Sequence, residues 1–236
     1  MMLPRITVVV FAAGALTTPA LSQAPNPAIQ PALEGQVSQL APDALYEGWR
    51  SQPLIGQQAL RRSGDGVGIV RDLIVDADGR LAAALIAGEG TASTPDALYR
   101  IPWNEIDLTP GQQGIVATIS EDEKARYALF PGTEGVQTLP REFRLTEVLG
   151  DYARLQTGYG YGYVTDAVFS RDGRLIAVLI SRDAASGGGT FAFPFPGTIG
   201  RWDPGASYYG LPFITDSQAQ TAGLRIDPKR FKNAAQ

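Results

Sequence analysis

The sequence contains one repeat that limits what the chain can fold into. Residues 67–86 and 161–180 align without a gap at an offset of 94 positions, and ten of the twenty aligned pairs are identical. Self-similarity of this kind is typical of one structural unit that occurs twice. The sequence therefore predicts two modules with the same chain path, related by internal duplication.

Each copy of the repeat predicts a β-hairpin. An Asp-Gly pair separates two apolar runs, with Asp78 and Gly79 in the first copy and Asp172 and Gly173 in the second. Glycine adopts without strain the positive φ that a tight hairpin turn requires. The alanines at 82–84, taken alone, favour a helix, but the second copy has β-branched residues at two of the matched positions, which favours a strand.

Residues 1–24 are expected to be a cleaved export signal. One basic residue, Arg5, precedes an apolar run at 6–16, which is shorter than the roughly 20 residues that a membrane-spanning helix needs. Small residues at Ser22 and Ala24 fit a cleavage site. The alternative is an uncleaved membrane anchor. We expect an exported, periplasmic protein with no membrane span after signal cleavage.

The repeat sets the remaining boundaries. Residues 25–45 contain four prolines and no sustained hydrophobic period, so they are interpreted as a linker. The first module is expected at 46–120 and the second at 141–215. Between them, the connector at 121–140 begins with helix-forming, acidic composition and predicts a short helix. Residues 216–236 are interpreted as a polar tail.

The composition argues against several functional classes. The chain has no histidine and no cysteine, so it lacks the commonest general base, the commonest transition-metal ligand and any disulfide. It has 20 Lys and Arg against 24 Asp and Glu, a balance that does not favour nucleic-acid binding. We expect no cofactor, no metal site and no catalytic residues. A pair of carboxylates acting on an envelope polymer stays open as an alternative.

Around each hairpin the chain carries a set of short motifs. In the first copy they are Leu54-Ile55-Gly56, Gly68-Ile69-Val70-Arg71-Asp72, the Asp-Gly turn and Ile101-Pro102-Trp103. The second copy matches with aromatic replacements, notably Phe193-Pro194-Phe195. In these motifs the modules resemble the PRC-barrel domain family, a small β-barrel shared by the cytoplasmic part of the photosynthetic reaction centre H subunit and the C-terminal domain of a ribosome maturation factor. The resemblance implies an all-β fold of two tandem small β-barrels, and a class of binding and assembly modules rather than catalysts.

Two aspartates, Asp72 and Asp166, recur at matched positions within apolar strands. A carboxylate there can bind a cation or a basic partner group. The favoured interpretation is structural, because a buried carboxylate must be paired or hydrogen-bonded, here to backbone N–H groups of a neighbouring turn. The Asp-Gly pairs are likewise interpreted as turn residues. A calcium loop at residues 76–79 is not favoured, because position 85, where such a loop needs glutamate, is leucine.

The run at 158–163 alternates glycine with Tyr159, Tyr161 and Tyr163. In a regular strand the three tyrosines share one face, which can stack on a sugar or a peptide. The alternative is that they cover the barrel mouth or the interface between the modules. We predict an aromatic binding surface here, with Trp202, Tyr208 and Tyr209 as possible neighbours.

The expected function is a noncatalytic binding or scaffold module that recognises a protein of the cell envelope, mainly through the second module. One alternative is an accessory factor that assembles an envelope protein complex, which predicts an uncovered apolar surface. The other is the carboxylate-dependent hydrolase, which predicts two carboxylates within about 10 Å in a cleft, one with a raised pKa.

Overall fold

The computed structural model describes residues 40–88, 97–108, 114–129, 138–195, 203 and 205–231. Trp202, the signal at 1–24 and most of the linker lie outside these residues. The described chain is mostly β. The strands are β1 Trp49–Arg50, β2 Gln58–Arg61, β3 Gly66–Asp76, β4 Leu81–Gly88, β5 Ala97–Pro102, β6 Ile106–Asp107, β7 Ile115–Ala117, β8 Ala128–Leu129, β9 Glu142–Arg144, β10 Tyr152–Arg154, β11 Gly160–Phe169, β12 Leu175–Arg182, β13 Gly189–Pro194, β14 Tyr208–Gly210 and β15 Leu224–Ile226.

The strands form two mixed sheets of similar topology. The first sheet has the order β6-β7-β2-β3-β4-β5-β8, and the second has the order β14-β10-β11-β12-β13-β15. In both, a long hairpin forms the centre and a late strand, β7 or β14, returns parallel to the short strand before the hairpin. Among the described strands neither sheet closes on itself, so the structure shows two open sheets where the sequence predicts small barrels.

The predicted hairpins are confirmed. In the first sheet β3 and β4 pair antiparallel around Gly79, and in the second β11 and β12 pair around Gly173. Both glycines have φ of 79°, a conformation in which other residues are strained. The alanines of β4 lie in a strand, as the second copy indicates, and Ala83 and Ala84 are fully buried.

The two modules exchange their opening strands. β1 precedes the first sheet in the chain but pairs with β11 of the second sheet, with Trp49 opposite Phe169. β9 precedes the second sheet but pairs with β3 of the first, with Phe143 opposite Val75. The two pairings are related by the same offset of 94 positions as the repeat. Each sheet is therefore completed by a strand from the other half of the chain.

The two hairpin turns also meet each other. Arg80 and Arg174 face each other in an isolated antiparallel bridge. The backbone N–H of Leu81 donates to the carbonyl of Gly173 at 2.9 Å, and that of Leu175 donates to the carbonyl of Gly79 at 2.6 Å. The reciprocal bonds relate the modules by a pseudo-two-fold axis through the turns.

One hydrophobic core runs through both sheets. The largest cluster of buried side chains includes β3 and β4 residues of the first sheet and β11 to β14 residues of the second. Trp49 of the exchanged strand β1 stacks on Phe169 at 5.0 Å and on Trp103 at 5.8 Å, measured between ring centroids. These ring contacts pack the two halves of the chain against each other.

Among the described residues the α-helices are few and short. They are α1 Pro42–Tyr46, α2 Glu121–Lys124 and α3 Asp216–Ala222. α3 begins with a capping box between Thr215 and Gln218. The part of the chain predicted as a polar tail is thus ordered from 216 to 231, and β15 within it forms one edge of the second sheet. Within the described residues no helix is long and apolar enough to span a membrane.

Candidate functional site

Three tyrosines lie side by side on the outer surface of the second sheet. Tyr152 of β10 is directly opposite Tyr163 of β11 on one side and Tyr208 of β14 on the other. Their exposed fractions are 37%, 57% and 39%, respectively. Because neighbouring strands are about 4.8 Å apart, the three side chains occupy adjacent positions across three strands. We call Tyr152, Tyr163 and Tyr208 the tyrosine row.

Arg154, two residues after Tyr152 on β10, adds a positive charge to the row. Its guanidinium carbon lies 5.0 Å from the ring centroid of Tyr208 and 5.9 Å from that of Tyr152, within the range of a cation–π interaction. The rings of Tyr152 and Tyr163 are 4.9 Å apart and tilted by 54°. The ring contacts hold the side chains in place while leaving them exposed to solvent.

Glycine at position 160 allows this arrangement. A Cβ atom on Gly160 would overlap the hydroxyl oxygen and the ring of Tyr152. The bare backbone therefore lets the ring of Tyr152 lie across β11. Of the glycines in the 158–163 run, Gly160 supports the row, but the tyrosine that uses the space comes from the preceding strand β10.

A cavity of about 310 Å³ adjoins the end of the row at Tyr208. This volume is at the lower end of the range for small-molecule sites. Its walls combine apolar and hydrogen-bonding groups, from residues that include Arg154, Gln156, Asp203, Tyr208, Leu211 and Pro212.

Tyr161 is not part of the exposed surface, and the prediction that it shares a face with Tyr159 and Tyr163 is wrong. Tyr161 is 2% exposed, whereas Tyr159 is 76% exposed. The pairing of β10 with β11 shifts register at this point, so that Tyr161 is an extra residue in a β-bulge. The bulge turns its ring into the core, edge-on to Phe193 at 5.6 Å.

Tyr209 is also buried, at 1% exposure, so the prediction that it is one of the residues of the binding surface is wrong. Strand alternation on β14 places it opposite in direction to Tyr208. Burial raises the pKa of both Tyr161 and Tyr209.

Sequence reasoning missed two members of the site, Tyr152 and Arg154. They lie on a strand of only three residues, which gives no periodic signal. The repeat contains the signal that could have identified Tyr161 as buried. The matched residue in the first copy, Val67, is apolar and is also buried, at 2% exposure. The match predicts a core position.

The repeated aspartates hold the exchanged segments. Asp166, 1% exposed, accepts hydrogen bonds from Arg50 Nε at 2.7 Å, Ser51 Oγ at 2.9 Å and the backbone N–H of Gln52 at 2.9 Å. Arg50 belongs to β1, and Ser51 and Gln52 follow it directly in the chain. The carboxylate therefore attaches the start of the first half of the chain to the second sheet.

Asp72 performs the same task in the first sheet. It accepts bonds from the backbone N–H of Thr146 at 3.1 Å and from the Thr146 hydroxyl, just after β9. Asp72 is 4% exposed, and desolvation by burial raises its pKa despite these bonds. The donors around both aspartates come from the chain itself, which is the arrangement of a structural carboxylate.

The turn aspartates also bond locally. Asp172 accepts a hydrogen bond from the hydroxyl of Ser170 at 2.5 Å, which lowers the pKa of Asp172. The backbone N–H of Asp78 donates a hydrogen bond to the carboxylate of Asp76 at 2.9 Å. Within the described ranges, no three acidic side chains converge as metal ligands would.

The carboxyls with raised pKa do not line the cavities described. They are Asp72 and Asp151, and in both cases desolvation is the main cause. The acids that line the three cavities described are Asp65, Glu123, Glu142, Glu147 and Asp203. Among them, Glu123 has a lowered pKa, because Ser120 donates two hydrogen bonds to it.

Comparison with known families identifies the first module. Residues 50–124 match the family model of the PRC-barrel domain, as the sequence motifs predict. The match does not extend to the second module, whose sheet nevertheless has a similar strand order. A comparison with curated proteins gave no match to the chain.

Proposed function

We propose that the chain is an exported, noncatalytic binding module of the cell envelope, built from a PRC-barrel domain and a second, divergent copy of it. The proposed recognition surface is the tyrosine row with Arg154 on the second sheet. The export signal predicted at 1–24 supports the location.

The observation that carries the proposal is the clustering of exposed aromatic side chains. Among the described residues, the large hydrophobic side chains with high exposure are Leu139, Tyr152, Tyr159, Tyr163 and Tyr208. Four of these five are tyrosines in or beside the row. Contiguous exposed aromatic surface is uncommon on a monomeric protein and marks binding sites.

The rigidity of the row further supports binding. Its rings are attached to three neighbouring strands rather than to loops, and each contacts either another ring or Arg154. A surface that is ordered before its target arrives loses little conformational entropy on binding.

The proposal is tested by exchanging two members of the row for the residues at the matched positions of the first sheet. We expect the double variant Tyr152→Gln/Tyr163→Ile to bind isolated cell-envelope fragments at least tenfold more weakly than the unaltered protein in a co-sedimentation assay. The matched control is Gln58→Ala/Ile69→Ala, which changes the corresponding positions of the first sheet and should leave binding unchanged.

Both variants are first checked for retained β structure by circular dichroism. Undiminished binding by a folded Tyr152→Gln/Tyr163→Ile variant would show that the row is not the recognition surface. Loss of binding in the first-sheet control would place recognition on the other module.

A further inference from the structure

The chemistry of the tyrosine row also indicates what it binds, an inference that rests on the function proposed above. In place of the protein partner expected from the sequence, we propose that the row and its adjoining cavity bind an acidic glycan, a chain of pyranose rings that carries carboxylates.

The rings provide the apolar part of the site. An aromatic face carries negative charge density and attracts polarised C–H groups, and one face of a pyranose ring consists of such groups. Tyr163, Tyr152 and Tyr208 present aromatic side chains at adjacent positions of three neighbouring strands. A linear sugar chain can lie along the row and stack on successive rings.

The surroundings of the row fit a sugar better than they fit a protein. Gln156 and Thr165 are exposed nearby, and among the described residues Leu139 is the one large aliphatic side chain with high exposure. A protein interface normally has a well-packed apolar centre of larger area. Hydroxyl groups of a sugar instead need donors and acceptors beside the rings, which Gln156 and Asp203 supply in the cavity wall.

Arg154 determines the charge of the ligand. It is exposed and lies against two rings of the row. Within the described ranges no carboxylate lies within ion-pair distance of Arg154. The guanidinium presents parallel N–H donors that match a carboxylate in a bidentate pair. A carboxylate on the sugar chain therefore completes the site.

The test measures binding of three defined probes to the purified protein by isothermal titration calorimetry. The probes are penta-galacturonic acid, which is acidic, maltopentaose, which is neutral, and a pentaglutamate peptide, which has comparable charge without sugar rings. We expect penta-galacturonic acid to bind at least tenfold more tightly than either of the others.

Two variants assign the contributions. Arg154→Gln should weaken penta-galacturonic acid about tenfold and abolish the preference over maltopentaose, because the charge-assisted bonds are lost. Tyr163→Ala should weaken both sugars about three- to tenfold through loss of one stacking ring. The control Ile69→Ala, at the matched position of the first sheet, should change neither affinity.

Tighter binding of pentaglutamate than of penta-galacturonic acid would overturn the glycan assignment in favour of an acidic peptide. Equal affinity of penta-galacturonic acid for the unaltered protein and for Arg154→Gln would overturn the inference that the ligand is acidic. If no sugar binds while envelope co-sedimentation still requires Tyr152 and Tyr163, the glycan inference fails and the proposed function stands. If co-sedimentation is also unchanged when these tyrosines are replaced, the glycan inference and the proposed function both fail.

Discussion

The two sheets have the same framework and different outer surfaces. Where the second sheet has Tyr152, Tyr163 and Tyr208, the matched positions of the first sheet are Gln58, Ile69 and Gly114. In contrast, the aspartates that hold the exchanged strands and the glycines of the hairpin turns are identical in both. The comparison separates residues that build the fold, which agree between the modules, from residues that give one module a surface of its own.

The largest expected effect tests whether residues that build the fold can be separated from residues that form the surface within a single strand. Tyr161→Ala should lower the free energy of unfolding by about 3–5 kcal/mol, because it removes a buried aromatic ring from the core. Tyr163→Ala, two residues along β11, should cost less than about 1 kcal/mol, because surface changes have small effects on stability. Chemical denaturation of both variants provides the measurement. Equal losses would mean that the tyrosines of β11 cannot be divided into a core and a surface residue.

A second prediction distinguishes the aspartates that hold the exchanged segments. Asp166→Asn should lower the free energy of unfolding by about 3 kcal/mol, because an amide cannot replace the ion pair with Arg50 while accepting from Ser51. Asp72→Asn should cost about 1 kcal/mol, since the groups that donate hydrogen bonds to Asp72 are the neutral groups of Thr146 and Leu73. Urea titrations compare the two. A larger loss for Asp72→Asn would contradict the assignment of Arg50 as the stronger attachment.

The sequence predicted the parts of the fold that repeat over many residues. The hairpins at Gly79 and Gly173 follow from the Asp-Gly pairs between apolar runs, and the family resemblance of the first module is confirmed by the match over residues 50–124. The strand exchange was not predictable, because β1 and β9 have two and three residues. Strands that short have no period, and their partners are fixed only by tertiary contacts.

The candidate site was predictable only in part. Glycine alternating with tyrosine correctly drew attention to β11, but strict alternation assigned Tyr161 to the wrong face because a bulge interrupts the strand. Tyr152 and Arg154 reach the site through the pairing of β10 with its neighbours, which the sequence does not encode locally. The matched Val67 would have corrected the assignment of Tyr161.

A third prediction concerns the contact between the hairpin turns. A Cβ atom on residue 173 would lie 2.7 Å from Trp103 Nε1, and one on residue 79 would lie 2.9 Å from Phe195 Cδ1. Gly173→Ala should therefore cost about 2 kcal/mol, part of it from the positive φ. Gly150→Ala is the control, since Gly150 also has positive φ but no atom near its Cβ position, and it should cost about 1 kcal/mol. Thermal or urea unfolding measures the difference, and equal costs would show that the turn contact does not constrain residue 173.

The smallest expected effect is a pH dependence that distinguishes Asp72. Burial raises the pKa of Asp72 in the folded protein, so the folded state binds this proton more tightly than the unfolded state does. The resulting stabilisation is fully present below the unfolded pKa and is lost as the pH rises through the folded pKa. The stability of the unaltered protein relative to Asp72→Asn should therefore fall between acidic and neutral pH. A rise over the same interval in urea titrations would contradict the direction assigned to Asp72.

The most direct test of the account compares the two outer surfaces in the native cell envelope. A photoreactive residue is placed at position 163, at the matched position 69 and at the buried position 161, and adducts are identified by mass spectrometry. We predict adducts with an envelope component from position 163, few or none from position 69, and links only within the chain from position 161. Adducts of equal yield from positions 163 and 69, or only internal links from 163, would contradict the claim that the second sheet carries the recognition surface.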